Sequence, residues 1–487
     1  MKSKTNGASK RPAAAARKHY PAASRRLPRV EPLLLGASLL ALAQHADAQA
    51  VLAATNAPAA TPVSGPATTP PPAGFSFLPQ KPAWLTDLSF GIKETYDDNL
   101  FNVSGLGAKE QGSWITTISP VVGFNFAPLL GQASPFQALA FGYSPEVNIF
   151  HEQPSENYTA NRLAQTIKAG AGDFTVSLEN GFNYIDGNHV APTYSGLDSN
   201  RSAYATGAPR ERREQIQDRS KFSLTYDQPQ WFLRPVASLL LYDLMTDLHT
   251  TSGYQNYASR YDVNGGLDFG YKLTPGLAVT LGYRYGHQYQ EQFSSVIDPT
   301  HTSSPSDYQR VLLGLEGSPW KWLTFSVQGG PDFRNYEADS ADHTTPVRDL
   351  NPITYYGEAT ATATITAKDQ LSLRYKDWRW VSSTGKLPLT ESLYELTYRR
   401  KLLDHLSFDL TGRIQSSDYT CGDASSSDRD DWLYSVSPGI TWTVNRNLSF
   451  NAAYSVDLGR NQEDNITDAG YREFDHQMVS VGMQLKL

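Results

Sequence analysis

Few residues in this chain are spaced for chemistry. Asp97-Asp98-Asn99 clusters side-chain oxygens of the kind a hard cation such as Ca2+ takes, and Glu463-Asp464-Asn465 repeats the offer later. In both places a polar turn at a strand end is the simpler reading. Hydrolytic chemistry needs an Asp/His or His/Ser pair within reach. His189, His301 and His343 lie in polar, loop-like stretches, and His287 and His476 lie near the ends of alternating segments without a Ser partner in a recognisable motif. The single cysteine, Cys421, sits in the Ser/Asp-rich stretch Asp418 to Asp431, with no basic residue beside it to activate a thiolate. No phosphate-cradling glycine loop or paired-cysteine metal motif appears. The sequence predicts no catalytic residue, no metal centre and no cofactor.

The other chemically capable side chains are charges set singly into alternating segments. They are Lys168, Glu179, Lys221, Asp268, Arg284, Arg310, Glu316, Arg374, Glu395, Arg399, Asp409 and Arg413. Buried in a dry core, each would need a partner at considerable cost. Lining a wet bore, both signs can be solvated or paired, and opposed charges across a constriction would filter polar solutes. The elements holding them therefore decide the function.

Those elements have a period of two. Leu277, Val279, Leu281, Tyr283 and Tyr285 share one face, with Thr280, Gly282, Arg284 and Gly286 on the other. Leu406, Phe408, Leu410 and Ile414 oppose Asp409, Thr411, Arg413 and Gln415 in the same way. Tight hairpins begin new strands at Gly276-Leu277, Trp322-Leu323, Gln370-Leu371, His405-Leu406 and Asn447-Leu448. Long polar connections alternate with them at Asp186–Pro209, Ser294–Asp307, Glu337–Pro352, Asp418–Asp431 and Gly459–Arg472. No comparably long segment carries helical spacing.

About 18 strands are expected from Trp84 onward, an even number that puts both termini at the short-turn end. The last strand closes the argument. Val479, Val481, Met483, Leu485 and Leu487 form an apolar row that runs to the end, against Ser480, Gly482, Gln484 and Lys486. A strand of this kind needs a partner, and pairing with Leu88–Tyr96 would close an all-β, up-and-down transmembrane barrel. Its apolar row would face lipid and serve as the assembly signal.

All nine tryptophans fall near expected strand ends. Trp84, Trp231, Trp320, Trp322 and Trp442 lie at the short-turn end, and Trp114, Trp378, Trp380 and Trp432 toward the long loops. Two interfacial girdles would explain that placement. Tyr254, Tyr257 and Tyr261 form a tyrosine-rich rim that would suit either an interface or stacking on sugars.

Residues 1–48 read as an export signal. A basic segment with Lys10, Arg17, Arg25 and Arg29 precedes the apolar run Leu33–Ala43, and Ala46-Asp47-Ala48 fits cleavage after Ala48. That run is too short to span a bilayer as a helix. Residues 49–83 form an Ala/Thr/Pro-rich linker, leaving 84–487 for the barrel. A net charge of −7 gives no sign of nucleic-acid binding.

Glu94-Thr95-Tyr96-Asp97-Asp98-Asn99-Leu100-Phe101 resembles the Tyr-x-Asp-Asn-apolar signature of the β-barrel porin type 2 family of Gram-negative outer-membrane proteins. Tyr143-Ser144-Pro145-Glu146-Val147 and Arg472-Glu473-Phe474-Asp475-His476 also resemble that family. The resemblance implies a barrel in the outer membrane but no settled substrate. The terminal Leu487 departs from the aromatic residue commonly found there.

The expected function is porin-like passive diffusion of small hydrophilic solutes, saccharides included. Arg284, Arg310, Glu316, Arg374, Glu395, Arg399, Asp409 and Arg413 are the pore-lining candidates. Expected partners are outer-membrane lipid and lipopolysaccharide, the barrel-assembly machinery and small polar solutes. Competing readings are a structural or adhesive barrel that displays its loops, and a barrel-embedded hydrolase. The oligomeric state is not legible.

Overall fold

The computed structural model describes residues 82–102, 110–131, 133–189, 212–250, 256–294, 296–297, 304–337, 351–381, 388–419, 429–463 and 473–487. Eighteen strands fill them. In chain order they are β1 (Leu85–Asp97), β2 (Ser113–Asn125), β3 (Phe136–Phe150), β4 (Tyr158–Ala171), β5 (Phe174–Asp186), β6 (Gln215–Asp227), β7 (Trp231–Leu244), β8 (Arg260–Thr274) and β9 (Leu277–Gln290). The second half holds β10 (Ser306–Trp320), β11 (Leu323–Tyr336), β12 (Ile353–Thr364), β13 (Asp369–Trp380), β14 (Leu389–Leu403), β15 (Leu406–Tyr419), β16 (Arg429–Thr443), β17 (Leu448–Glu463) and β18 (Phe474–Lys486).

Each strand pairs antiparallel with its sequence neighbours, and β1 pairs with β18, so the sheet has no edge. The closing register runs from Ser89 opposite Lys486 to Asp97 opposite Met478. Beyond it the Leu487 N–H donates to the Leu88 carbonyl at 2.7 Å. Closure leaves no open strand edge, which a bilayer demands.

Connections alternate as expected. At one end they are the two-residue turns 172–173, 275–276, 321–322 and 404–405 and three- or four-residue turns at 228–230, 365–368 and 444–447, with the longer connection 126–135 between β2 and β3 holding a short 3-10 turn at Ala127–Leu130. Gly172 takes a left-handed φ of 59°, which lets β4 reverse within two residues. The expected loop Gly459–Arg472 is shorter than its sequence suggests, because β17 continues to Glu463. Likewise β15 and β16 take both ends of Asp418–Asp431.

The outer wall is apolar. Val479, Val481, Met483, Leu485 and Leu487 are exposed outward to between 37 and 58%, beside Phe90, Ile92, Phe450 and Tyr454 of the flanking strands. Polar groups on this face are answered by tyrosine. The Tyr143 hydroxyl donates to Asn161 Oδ1 at 2.7 Å and that of Tyr454 to Gln477 Oε1 at 2.7 Å. At the short-turn end, outward rings meet in series: Phe174 tilts on Tyr226 at 4.8 Å, Tyr226 meets Trp231 edge to face at 5.7 Å, and Trp320 stacks on Trp322 at 5.6 Å. At the other end Tyr96 meets Trp114 at 5.1 Å and Trp432 meets Tyr434 at 6.1 Å.

Two of the nine tryptophans break the girdle pattern. Trp378 and Trp380 share the inward row of Arg374 and Lys376 and line the bore rather than the lipid face. Trp380 is buried against Leu389, with Leu240, Tyr242 and Trp378 packed around them.

Candidate functional site: the barrel lumen

The inward rows enclose a cavity of ≈ 1190 Å3. All eight pore-lining candidates, Arg284, Arg310, Glu316, Arg374, Glu395, Arg399, Asp409 and Arg413, lie on its wall. Alternation puts them there; cross-strand register then decides which of them meet.

On β7 to β10 they form a relay. Arg234 grips Glu316 with both terminal nitrogens, at 2.9 and 2.8 Å, and its Nε reaches Asp268 at 3.2 Å. Arg284 donates to the other oxygen of Asp268 at 2.6 Å. One buried carboxylate thus serves two guanidinium groups, and the bidentate fork fixes the geometry.

A second group lies on β8 to β12. Arg310 Nε and Arg334 Nη2 both donate to Asp332 Oδ2, at 2.8 and 2.9 Å. The Arg310 guanidinium also lies 4.0 Å from the Tyr308 ring centroid and 4.4 Å from that of Tyr356, a cation held between two aromatic faces. Tyr308 in turn donates to Asp262 at 2.8 Å. Gly286 permits this arrangement, since a Cβ there would sit 2.3 Å from the Tyr308 ring.

On β14 and β15, Arg413 donates to Glu395 Oε2 at 3.1 and 3.2 Å, and Arg399 Nε to Asp409 at 2.6 Å. Arg374 is the exception. It makes no hydrogen bond or ion pair with any described residue, and its Nε and Nη1 are buried without an acceptor.

The bore is not a uniform tube. The loop end of β13 leans inward across it. The Arg379 carbonyl accepts from Gln288 at 3.0 Å and from Arg334 at 3.3 Å, and the Val381 carbonyl accepts from Arg260 at 2.6 Å. Arg260 lies 5.1 Å from the Tyr242 ring centroid and 5.2 Å from that of Trp380. Strands β7 to β11 are thereby bridged to β13 by side chains, with Val381 and Leu389 fully buried at the junction.

A second inward fold lies at the start of the β1–β2 connection. Leu100 and Phe101 pack with Ile115, Phe150 and Tyr158. Arg212, entering from the β5–β6 connection, donates to the Leu100 carbonyl at 2.7 Å and stands 5.2 Å from the Phe101 ring centroid. Glu156 holds it in place, pairing with Arg212 and with Arg213 at 3.2 Å. Burial pushes the Glu156 carboxyl up, but the two guanidinium groups outweigh it and hold the group below the usual carboxylate range.

The Asp97-Asp98-Asn99 cluster belongs to the barrel seam. His476 sits between Asp97, at 3.0 Å, and Asp457, at 3.4 Å. Asp98 Oδ1 accepts from the Gln477 N–H at 2.7 Å, and Asn99 Nδ2 donates to the Asp475 carbonyl at 2.8 Å. Asp97, Asp98 and His476 could together offer three ligand atoms within 4.8 Å of one another. All three already bond across the closing strands, Asp97 to His476 and Asp98 to the Gln477 N–H, as a seam requires.

His287, the other histidine near a strand top, pairs with Asp307 at 2.9 Å, one strand across. His189 pairs with Glu214. Tyr257 is buried against Leu244, so it presents no open ring at the rim, whereas Tyr261 stacks on Tyr289 at 5.1 Å. Tyr254, His301, His343, Cys421 and Glu463-Asp464-Asn465, apart from the backbone of Glu463, lie outside the described residues.

Sequence reasoning missed Lys376, Trp378 and Trp380 as lumen residues. The signal was present, since they continue the inward row of Arg374. It also missed Arg260, Glu358 and Glu391, which line the same cavity. Only the folding together of distant strands makes their neighbours visible.

No protein-family model matches the chain, and no curated protein sequence matches it. Solved structures similar to it include the outer membrane protein OpdK from Pseudomonas aeruginosa, at 12% identity over 82% of this chain and 99% of that one, with a TM-score of 0.39. Another is P. aeruginosa OccK2 (OpdF) in complex with glucuronate, at 11% identity over 82% and 98%, with a TM-score of 0.41. A third is Acinetobacter baumannii OccAB4, at 11% identity over 82% and 98%, with a TM-score of 0.36.

Proposed function

We propose that the chain is an outer-membrane channel for passive diffusion of small hydrophilic solutes. The observation that carries this reading is a closed barrel with an apolar outer wall and a charged bore of ≈ 1190 Å3. Barrels of 16 to 18 strands are wide enough to leave an aqueous channel, and a bore lined by paired charges keeps water and polar solutes at low cost. Constriction by Trp380, Arg260 and Leu389 would set the size limit. Arg284, Arg310, Glu316, Arg374, Glu395, Arg399, Asp409 and Arg413 would set charge selectivity.

Residues 1–48 would direct export and be cleaved, and 49–83 would link that signal to the barrel at 84–487. The apolar row Val479 to Leu487 would act as the signal read by the barrel-assembly machinery. Outer-membrane lipid and lipopolysaccharide would then contact the outer wall. Kinship with the β-barrel porin type 2 family rests on the short motifs at Tyr96–Leu100, Tyr143–Val147 and Arg472–His476. A non-enzymatic role is our reading, although His287–Asp307 and the Asp97–His476–Asp457 contacts are carboxylate–histidine pairs of the kind a hydrolase would use.

Purified protein in planar bilayers tests the reading. Stable conductance steps are expected. A folded, heat-modifiable barrel that conducts no current would overturn it and favour a surface barrel that displays loops.

A further inference from the structure

We propose that the closing seam carries a divalent-metal site, built on Asp97, Asp98 and His476 and suited to a borderline cation such as Zn2+. The site goes beyond the channel reading, since it concerns the join between the first and last strands whether or not the bore conducts.

Distant segments of the chain supply the donors. Asp97 ends β1 and Asp98 follows it, whereas His476 lies 379 residues after Asp97, near the start of β18. One ligand atom from each side chain lies within 4.8 Å of the other two. Asp97 and His476 are buried and Asp98 is half-buried. Asp97 and His476 also line the bore, which gives a cation its way in.

The bonds already formed at the seam leave room for a cation. Asp97 Oδ1 accepts from the Asn99 N–H at 3.0 Å and lies 3.0 Å from His476 Nε2. Asp98 Oδ1 accepts from the Gln477 N–H at 2.7 Å. These contacts use Oδ1 of each carboxylate, so Oδ2 of each remains for a metal. A tetrahedral Zn2+ holds its nitrogen and oxygen ligands about 3.3 Å apart, so His476 and Asp97 already stand close to the required separation.

The histidine is also turned as a metal ligand is. Its Nδ1 faces Asp457 Oδ2 at 3.4 Å, from the register partner on β17. A carboxylate behind the ring keeps the N–H on Nδ1 and aims the Nε2 lone pair away from it, toward Asp97. A neutral imidazole has one N–H to share between two carboxylates; a cation on Nε2 answers the second. One imidazole with two carboxylates suits Zn2+ better than Ca2+, which takes six or more oxygens, and leaves a fourth position for water. Because β1 and β18 each contribute ligands, the complete site exists only while they are paired, and binding adds to the stability of closure.

The test uses the full-length protein in detergent, stripped with EDTA and titrated with zinc chloride by calorimetry and with cobalt(II) chloride by visible absorption. One tight site per chain is expected, with tetrahedral cobalt bands. Zn2+ should also raise the temperature at which the folded band is lost on gels. His476→Gln should abolish the cobalt bands and the thermal gain. Asp98→Asn keeps an oxygen for the Gln477 N–H, and so keeps the seam, but should weaken Zn2+ about tenfold or more. Asp457→Asn should weaken it about 10- to 100-fold through the ring's support alone. His287→Gln, whose ring pairs with Asp307 elsewhere on the rim, should leave binding unchanged. Heat-modifiable migration without metal checks that each variant is folded. Absence of a saturable site in the wild type would overturn the proposal, as would binding or a thermal gain that Asp98→Asn and His476→Gln both leave intact; neither result touches the channel reading, which conductance decides.

Discussion

Deleting Val479–Leu487 should abolish the folded barrel while leaving export intact. Those nine residues supply eight of the nine register pairs between β18 and β1, and seven of the twelve between β18 and β17. An antiparallel ladder averages about one hydrogen bond per register pair, so roughly 15 are lost. At about 1 kcal/mol each even in water, the loss is roughly 15 kcal/mol, at or above the whole stability of an ordinary domain. In the bilayer the penalty is larger, because the bared edges of β1 and β17 meet no solvent. The assay is heat-modifiable migration on gels together with protease resistance of the membrane fraction. A truncated chain that still migrated as a folded, protease-resistant barrel would refute the closure, and with it the inward or outward assignment of every lumen residue.

Three further outcomes are expected. Glu156→Gln should release Arg212 and loosen the inward fold at Leu100, at a cost of roughly 3 kcal/mol for breaking a buried pair. The Glu156 carboxyl is held low in the folded state, so its contribution is present above the ordinary carboxylate pKa and is lost as pH falls through the folded value. Thermal unfolding in detergent at neutral pH and at about pH 3 should show a smaller acid loss in the variant. Trp380→Ala should raise single-channel conductance, because its indole stands between Arg260 and Leu240 at the constriction; unchanged conductance would place the narrowest point elsewhere. Asp268→Asn leaves Arg234 and Arg284 short of their shared anion, so reversal potentials in a KCl gradient should shift toward chloride, with a stability loss of roughly 3 kcal/mol.

The wall was legible because a single rule generates it. Alternation in Leu277–Gly286 and Phe474–Leu487 assigns each side chain to lipid or lumen, and the hairpin turns fix the strand count. Trp378 and Trp380 were misread because their distance from the strand end was weighed and their parity was not; Arg374 two residues earlier marks their face as inward. The pairs within the relay were only partly legible, since Arg284 and Glu316 are register-remote and meet through Arg234 and Asp268. Nothing local predicts that Arg260 on β8 will grip a carbonyl at the end of β13. That contact depends on the curvature of the closed sheet.

This difference in legibility tracks the physics of the two faces. Outward residues meet a solvent that is the same everywhere, so only their apolarity and their height matter. Inward residues meet one another across a narrow bore, where the nearest partner comes from a strand several places away. Charge in such a bore is tolerated where each group has a partner, and seven of the eight candidates named from the sequence have one. The remaining one, Arg374, keeps two buried nitrogens without an acceptor although Glu358 on the adjacent strand holds a buried oxygen without a donor, so neither its type nor its register made this visible in the sequence.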